Sequence, residues 1–263
     1  MDTGPDPASA AGLTSAAADR RYAAEAQQGA QIAADDLEHV WGWSSPAGKK
    51  RADRRARFLI DAAGLQPGVR CLEIGAGTGE FTQRLVASGC QLEALELSPD
   101  TARVCQERVG NSAKVLVGNV ETGEGLPEGQ PFDAIVGVSV LHHVNLAMTF
   151  ESTFKRLRTG GRFAFSEPNM ANPQVWAERH VDIVKRVRHV TEHETAFRVA
   201  ELRSAFEGAG FTVEICEPFE FLHPSTPPRL IAGVQRLEWV LERTPVRQIA
   251  GSVRIAGFRP GAP

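Results

Sequence analysis

Apolar positions fall into short blocks that recur through most of the chain. VRCLEI (69–74) is a continuous apolar run with one glutamate near its end, and QLEALEL (91–97) alternates with period two. AKVLVG (113–118), FDAIVGVSV (132–140), GRFAFSE (161–167), FTVEICE (211–217) and GSVRIAGFR (251–259) are further runs of this kind. Short β-rich runs bounded by turn residues predict strands, here seven. Between them the apolar spacing changes to three and four. EFTQRLVAS (80–88) places Phe81, Leu85 and Val86 on one helical face, and PDTARVCQERV (99–109) opens with proline. Residues 145–157 and RVAELRSAFEGAG (198–210) also read as helices, the first stopping before Thr159-Gly160-Gly161. More helices lie outside this alternation: 22–40, Pro46 to Ala63, PQVWAERHVDIVKRVRHV (173–190) and about Pro228 to Arg243. Ser45 suits an N-cap and Pro46 the first helical position.

Strands alternating with helices predict an α/β fold, a seven-stranded mostly parallel sheet covered on both faces. Ligands of such sheets bind beyond the carboxyl ends of the strands, where strand order reverses. The expected division is a disordered tail (1–20), an N-terminal helical lid (21–66) and a main domain (67–263) with insertions at 171–195 and 218–248.

Composition narrows the function. The 263 residues are 42% hydrophobic and 23% charged, with net charge -3. That is ordinary for a soluble protein and gives no reason to expect nucleic acid or an anionic membrane as partner. No run reaches the roughly 18 apolar residues of a membrane span. The first 18 residues lack the basic and apolar regions of a signal peptide. Cys71, Cys90, Cys105 and Cys216 form no CxxC pair, so no metal site is expected and a reducing cytoplasm is the simplest setting. A homodimer is compatible with all of this.

The candidate chemistry starts at CLEIGAGTGEF (71–81). A phosphate loop of the GxxxxGK type is absent. Gly75, Gly77 and Gly79 are spaced two and two, one residue short of the dinucleotide pattern. Glu73, two residues ahead of them, would sit badly beside a pyrophosphate and suits a cationic or hydroxyl-bearing ligand.

On these residues the chain resembles the class I S-adenosylmethionine-dependent methyltransferases, whose first motif is an acid, a spacer and GxGxG. LEIGAGTG, ALELSP, VGNVE, FDAIVGVSVLHHV and LRTGGRFAFSEPN follow the family's order over about residues 67–217. The resemblance implies a Rossmann-like methyltransferase fold and S-adenosylmethionine as cofactor. It implies that Gly75, Ala76, Gly77 and Gly79 bare the backbone to the methionyl part, with Glu73 near its amino group. Glu96 would bind both ribose hydroxyls, Leu97 and Val120 would flank the adenine, Asn119 would face its amine through the carbonyl oxygen, and Val138 would also touch the cofactor. The implied reaction is methyl transfer to an O, N or C nucleophile of a small organic acceptor. A protein using the cofactor for a non-methylating reaction, or as a structural ligand, is the alternative.

Base candidates follow strands four and five. His142 and His143 leave strand four, and Glu167 ends strand five. Neutral imidazole suits taking a proton near pH 7. His180 shares a helical face with Trp176, Val184 and Val187, a face that fits either core or site. For the acceptor pocket the candidates are His39, Trp41 and Trp43 of HVWGWSSP, with Trp176 and His223. Arg179, Lys185, Arg186 and Arg188 read as a basic solvated face.

Overall fold

A computed structural model describes residues 21–27, 42–180 and 196–261. Helix α1 spans Pro46–Ala63. Ser45 caps it by accepting the Gly48 N–H at 2.9 Å, and Gly64 closes it in the left-handed region. Strand β1 (Arg70–Ile74) follows. The helix predicted over 80–88 shrinks to one α turn, α2 (Thr82–Leu85), and a 3₁₀ turn at Val86–Ser88. The glycine loop takes the residues that would have begun it, and left-handed Gly89 ends it.

Then come β2 (Gln91–Glu96), α3 (Pro99–Val109), β3 (Lys114–Val117), β4 (Phe132–Val138) and α4 (Leu146–Arg156). Ser98 caps α3 and Asn145 caps α4. Strand β5 spans Leu157–Pro168. The helix stops ahead of Thr159-Gly160-Gly161 as expected, but the strand expected from Gly161 already begins at Leu157 and takes in those three residues. Pairing with β4 jumps from Phe132–Leu157 to Ala134–Arg162, so the glycines form a bulge rather than a gap. The chain continues through α5 (Pro173–His180), α6 (Val199–Gly208), β6 (Thr212–Phe219), α7 (Pro228–Leu241) and β7 (Ser252–Phe258). The rest of the helix predicted at 173–190 lies outside the described residues, as do the 1–20 tail and most of 22–40; residues 21–27 are helical.

The sheet order is β3-β2-β1-β4-β5-β7-β6. Neighbours from β3 to β5 are parallel, and β7 runs antiparallel between β5 and β6. Successive residues of β1 serve two cores, as the period-two pleat requires. Leu72 and Ile74 join Phe132, Phe163 and Phe206 on one face, where Phe163 stacks on Phe206 at 4.5 Å. Cys71 joins Leu59, Leu85 and Cys105 on the other. Strand order reverses between β1 and β4, so a crevice is expected at their carboxyl ends. No helix among the described residues is long and apolar enough to cross a membrane.

Candidate active site

A cavity of about 630 Å³ opens at that crevice. Its floor is the loop after β1. The Gly75 and Ala76 N–H groups both donate to the Leu95 carbonyl, at 2.9 and 3.0 Å, which folds the loop over β2. Gly75 has φ +69, and a Cβ on it would stand 2.5 Å from Val140 Cγ2. Gly77 has φ +55, and a Cβ there would meet nothing within 4 Å; it faces open space. Gly79, expected beside the ligand, does not line the cavity. A Cβ on it would stand 3.0 Å from Cys105 Sγ, so this glycine lets the loop pack on α3.

Glu96 lines the cavity at the tip of β2. Its two oxygens accept the Gly77 and Ser98 N–H groups, at 2.9 and 3.0 Å, each with lone-pair capacity left. Burial raises its pKa, against those backbone bonds. Glu73 is placed differently from the expectation. It is buried beneath the loop and does not reach the cavity. Burial pushes its carboxyl up to about 8, with the Thr82 side chain as its hydrogen-bonding neighbour and Oε2 unpartnered. Leu97, Val120 and Val138 line the cavity, as does Asn119. The Asn119 carbonyl oxygen, expected to face a ligand amine, already accepts the Glu121 N–H at 2.8 Å in a tight turn.

Beyond β4 the buried residue is Glu167, wholly enclosed rather than pointing to the mouth. Its Oε1 accepts the Val140 and Leu141 N–H groups, both at 3.0 Å, and its Oε2 lies 2.7 Å from His142 Nδ1. This fixes the β4 exit and the His142 ring together, leaving Nε2 for the cavity that His142 lines. Burial lowers the His142 pKa, neighbouring His143 lowers it further, and Glu167 opposes both. The two rings lie 4.2 Å apart.

Two groups in the wall were missed in the sequence. The helical segment 21–27 crosses the exits of β3 and β4. Arg21 donates to the His143 carbonyl at 2.9 Å and to Glu121 at 2.5 Å, and Tyr22 donates to Glu121 at 3.0 Å. Glu121 also accepts the Asn145 N–H, and Glu25 lies 3.2 Å from His143 Nδ1. On the opposite wall Arg51 and Arg55 of α1 share the Glu220 carboxylate, at 2.8 and 2.5 Å. Burial would raise the Glu220 pKa, but Arg55 and Arg51 outweigh it and hold it at about 2. Glu220 sits at φ +77, a strained backbone for a non-glycine. Both guanidinium groups lie over Trp43, about 5 Å from its centroid, and Trp43 packs edge-on to Phe81 at 5.3 Å. Arg51 Nε is buried without a hydrogen-bond partner. The signal was present: arginines four apart sit at an inner face of α1 otherwise made of small residues and Leu59.

Trp43 and His223 line the cavity. Trp176 and His180 do not; His180 is exposed and stacks on half-exposed Trp176 at 4.7 Å. The eight-residue α5 turns Val175 and Arg179 to the cavity instead, each one residue before the predicted Trp176 and His180 and so about 100° around the helix from them. His39, Trp41, Val184, Lys185, Arg186, Val187 and Arg188 lie outside the described residues.

A mostly parallel sheet of this strand order, with a glycine loop and an acid at the tips of its first two strands, defines a nucleoside-binding α/β protein. Residues 46–214 match the family described as methyltransferase domain, and the chain belongs to it. The tuberculostearic acid methyltransferase of Mycobacterium tuberculosis is 27% identical over 149 residues, 54% of this chain and 33% of the relative. The chain thus spans about a third of that relative's length. Among solved structures, the N-methyltransferase NodS of Bradyrhizobium japonicum, in complex with S-adenosyl-L-homocysteine, superposes with TM-score 0.60 at 14% identity, covering 89% of this chain and 98% of that one. The [4+2]-cyclase SpnF superposes with TM-score 0.59 at 16% identity, covering 84% and 85%. At these identities the two structures speak for the fold alone.

Proposed function

We propose that the chain transfers a methyl group from S-adenosylmethionine to an O, N or C nucleophile of a small organic acceptor. The observation that carries this reading is that one cavity joins the Gly77–Glu96 corner to a histidine whose ring is held by a buried carboxylate. The residues present fit the cofactor. Gly77 leaves open the space that a side chain would fill, and Glu96 keeps lone pairs for two hydroxyl donors. Leu97, Val120 and Val138 offer apolar walls for a flat ring. Arg51 and Arg55, only one carboxylate between them, would hold the cofactor's carboxylate beside Phe81.

Bound there, the cofactor supplies an electrophilic methyl group on a sulfonium sulfur. The chain's part is chiefly alignment, which can contribute roughly 7–11 kcal/mol. His142 takes the acceptor's proton at Nε2, a contribution of about 10²–10⁴ in rate. Glu167 is a positioning residue: it accepts the Nδ1 proton and so keeps Nε2 unprotonated. Arg21, Tyr22 and Glu25 close the cavity from the N-terminal side and exclude water. Val144, Val175, Leu222 and His223 form the wall left for the acceptor.

Calorimetry with S-adenosylmethionine and S-adenosylhomocysteine, followed by a labelled-methyl screen of small acceptors read by mass spectrometry, tests the proposal. Micromolar binding that Glu96→Ala abolishes, and label in at least one acceptor, are expected. A cavity that takes neither nucleoside, or takes a nicotinamide dinucleotide instead, overturns it.

A further inference from the structure

The chain leaves the cavity wall at Pro224, runs through α7 and the turn at Pro245–Ile249, and rejoins the wall at Gly251. The inner side of α7 is anchored. Ile231 and Glu238 are buried, and Glu238 accepts the Phe221 and Leu222 N–H groups at 2.5 and 3.2 Å. The outer side is covered by nothing among the described residues. Leu230, Leu237 and Val240 are 51%, 55% and 48% exposed, and Val246 and Ile249 beyond the helix are each 45% exposed. Leu230, Leu237 and Val240 recur at seven and three residues, one helical stripe.

Arginines run alongside that stripe. Arg229, Arg236 and Arg243 are seven residues apart and all exposed. Arg229 and Arg236 make no hydrogen bond or ion pair with the described residues. Arg243 lies over Trp239, 3.7 Å from its centroid. The two acids of the helix region do not balance them, because Glu238 and Glu242 turn inward to Arg54, at 2.9 and 2.6 Å. No exposed acid lies between Pro228 and Ile249.

This face is poorly made for a second copy of itself, since a two-fold contact would set arginines against arginines with no carboxylate between them. It fits a partner that is anionic at its surface and apolar just beneath. We propose that α7 and the turn after it dock the protein peripherally on a bilayer bearing anionic headgroups, the arginines at the phosphates and the leucine–valine stripe at the acyl boundary. The chain-wide charge of -3 conceals this local excess. Docking here bears on access to the cavity, because the surface begins and ends at the cavity wall.

The test is co-sedimentation of the full chain with vesicles of phosphatidylcholine alone and of phosphatidylcholine mixed with phosphatidylglycerol. Binding to the mixed vesicles only, released by raising salt, is expected. Arg229→Gln with Arg236→Gln should weaken the partition coefficient about thirtyfold, from the usual contribution of an arginine at an anionic surface. Both positions are exposed, and a thermal melt checks that the variant is folded. Absence of the wild type from the mixed-vesicle pellet overturns the proposal, as does equal binding to both vesicles or a variant that binds like wild type. A solution dimer dispersed by Leu237→Glu, without vesicle binding, would assign the face to self-association instead.

Discussion

Replacing Glu167 by glutamine changes one atom and should stop the proposed base. Oε1 of residue 167 accepts two backbone N–H groups at 3.0 Å, a task the glutamine carbonyl can keep. That fixes the amide orientation, so its NH₂ group must face His142 Nδ1, where a carboxylate oxygen now lies at 2.7 Å. A donor there forces Nδ1 to accept, and the ring's proton moves to Nε2, the nitrogen left for the acceptor. A base that already carries a proton contributes nothing. Turnover should fall by about 10²–10⁴, or roughly 3–5 kcal/mol, the usual worth of a general base. Stability should change by only about 1 kcal/mol, because the backbone bonds remain. Cofactor affinity by calorimetry should stay within about twofold. In the wild type, kcat/KM should rise with pH through the His142 pKa, which burial and His143 place below the ordinary 6.5, and should be flat by neutral pH. The variant should lack that limb. His142→Asn should cost as much as Glu167→Gln, and the double variant no more, because the two act as a unit. Glu167→Gln turnover within about fivefold of wild type at pH 7, with the pH limb intact, would refute the dyad.

Other expectations are separable from this one. Gly77→Ala should fold, at a cost of about 1–2 kcal/mol for its left-handed backbone, yet lose nucleoside affinity measured by calorimetry, because its methyl enters the open space. Glu220 is held at about 2, below its ordinary 4.5, so its stabilisation is complete above pH 4.5 and is lost as pH falls toward 2. Urea melts should record a loss of about 3 kcal/mol across that window, and Arg55→Ala should cost about 3–5 kcal/mol at pH 7 by leaving the carboxylate half-paired. Glu73 is shifted the other way, to about 8, so its burial destabilises the ligand-free fold increasingly from pH 4.5 up to 8. Glu73→Gln should therefore raise the melting temperature, more at pH 8 than at pH 5, with a gain of up to about 5 kcal/mol as an upper bound.

The parallel half of the sheet was legible because each strand is a short apolar run closed by turn chemistry. Ser45, Ser98 and Asn145, set just ahead of helical spacing, act as the caps that such residues commonly supply. The errors have physical causes. The helix over 145–157 does stop ahead of Thr159-Gly160-Gly161, at Arg156, but the strand expected from Gly161 begins at Leu157, because β4 pairing on both sides of the glycines absorbs them as a bulge. Glycine spacing marks the loop but not which glycine meets a ligand; Gly77 faces space and Gly79 faces Cys105, a difference set by α3. Glu73 and Glu96 look alike in sequence, the first a residue short of its strand's end and the second at the end of its own. The single-residue offset buries the first and bares the second. Glu167 was read as a base candidate because it ends strand five; the amides of Val140 and Leu141, distant in the chain, turn it inward. The Arg51–Arg55–Glu220 group joins residues more than 160 positions apart, and no local pattern reports such a pairing.

The segment 21–27 has a timing problem built into it. Its anchors, Glu121 and the His143 carbonyl, lie 100 and 122 residues downstream of Arg21. At about 5–20 residues per second on a ribosome, those anchors emerge some 5–25 s after the segment itself. The earliest-made described piece of the protein is thus among the last to find its seat, and a fusion partner attached ahead of it would burden the closing of the cavity before it burdened the folding of the sheet.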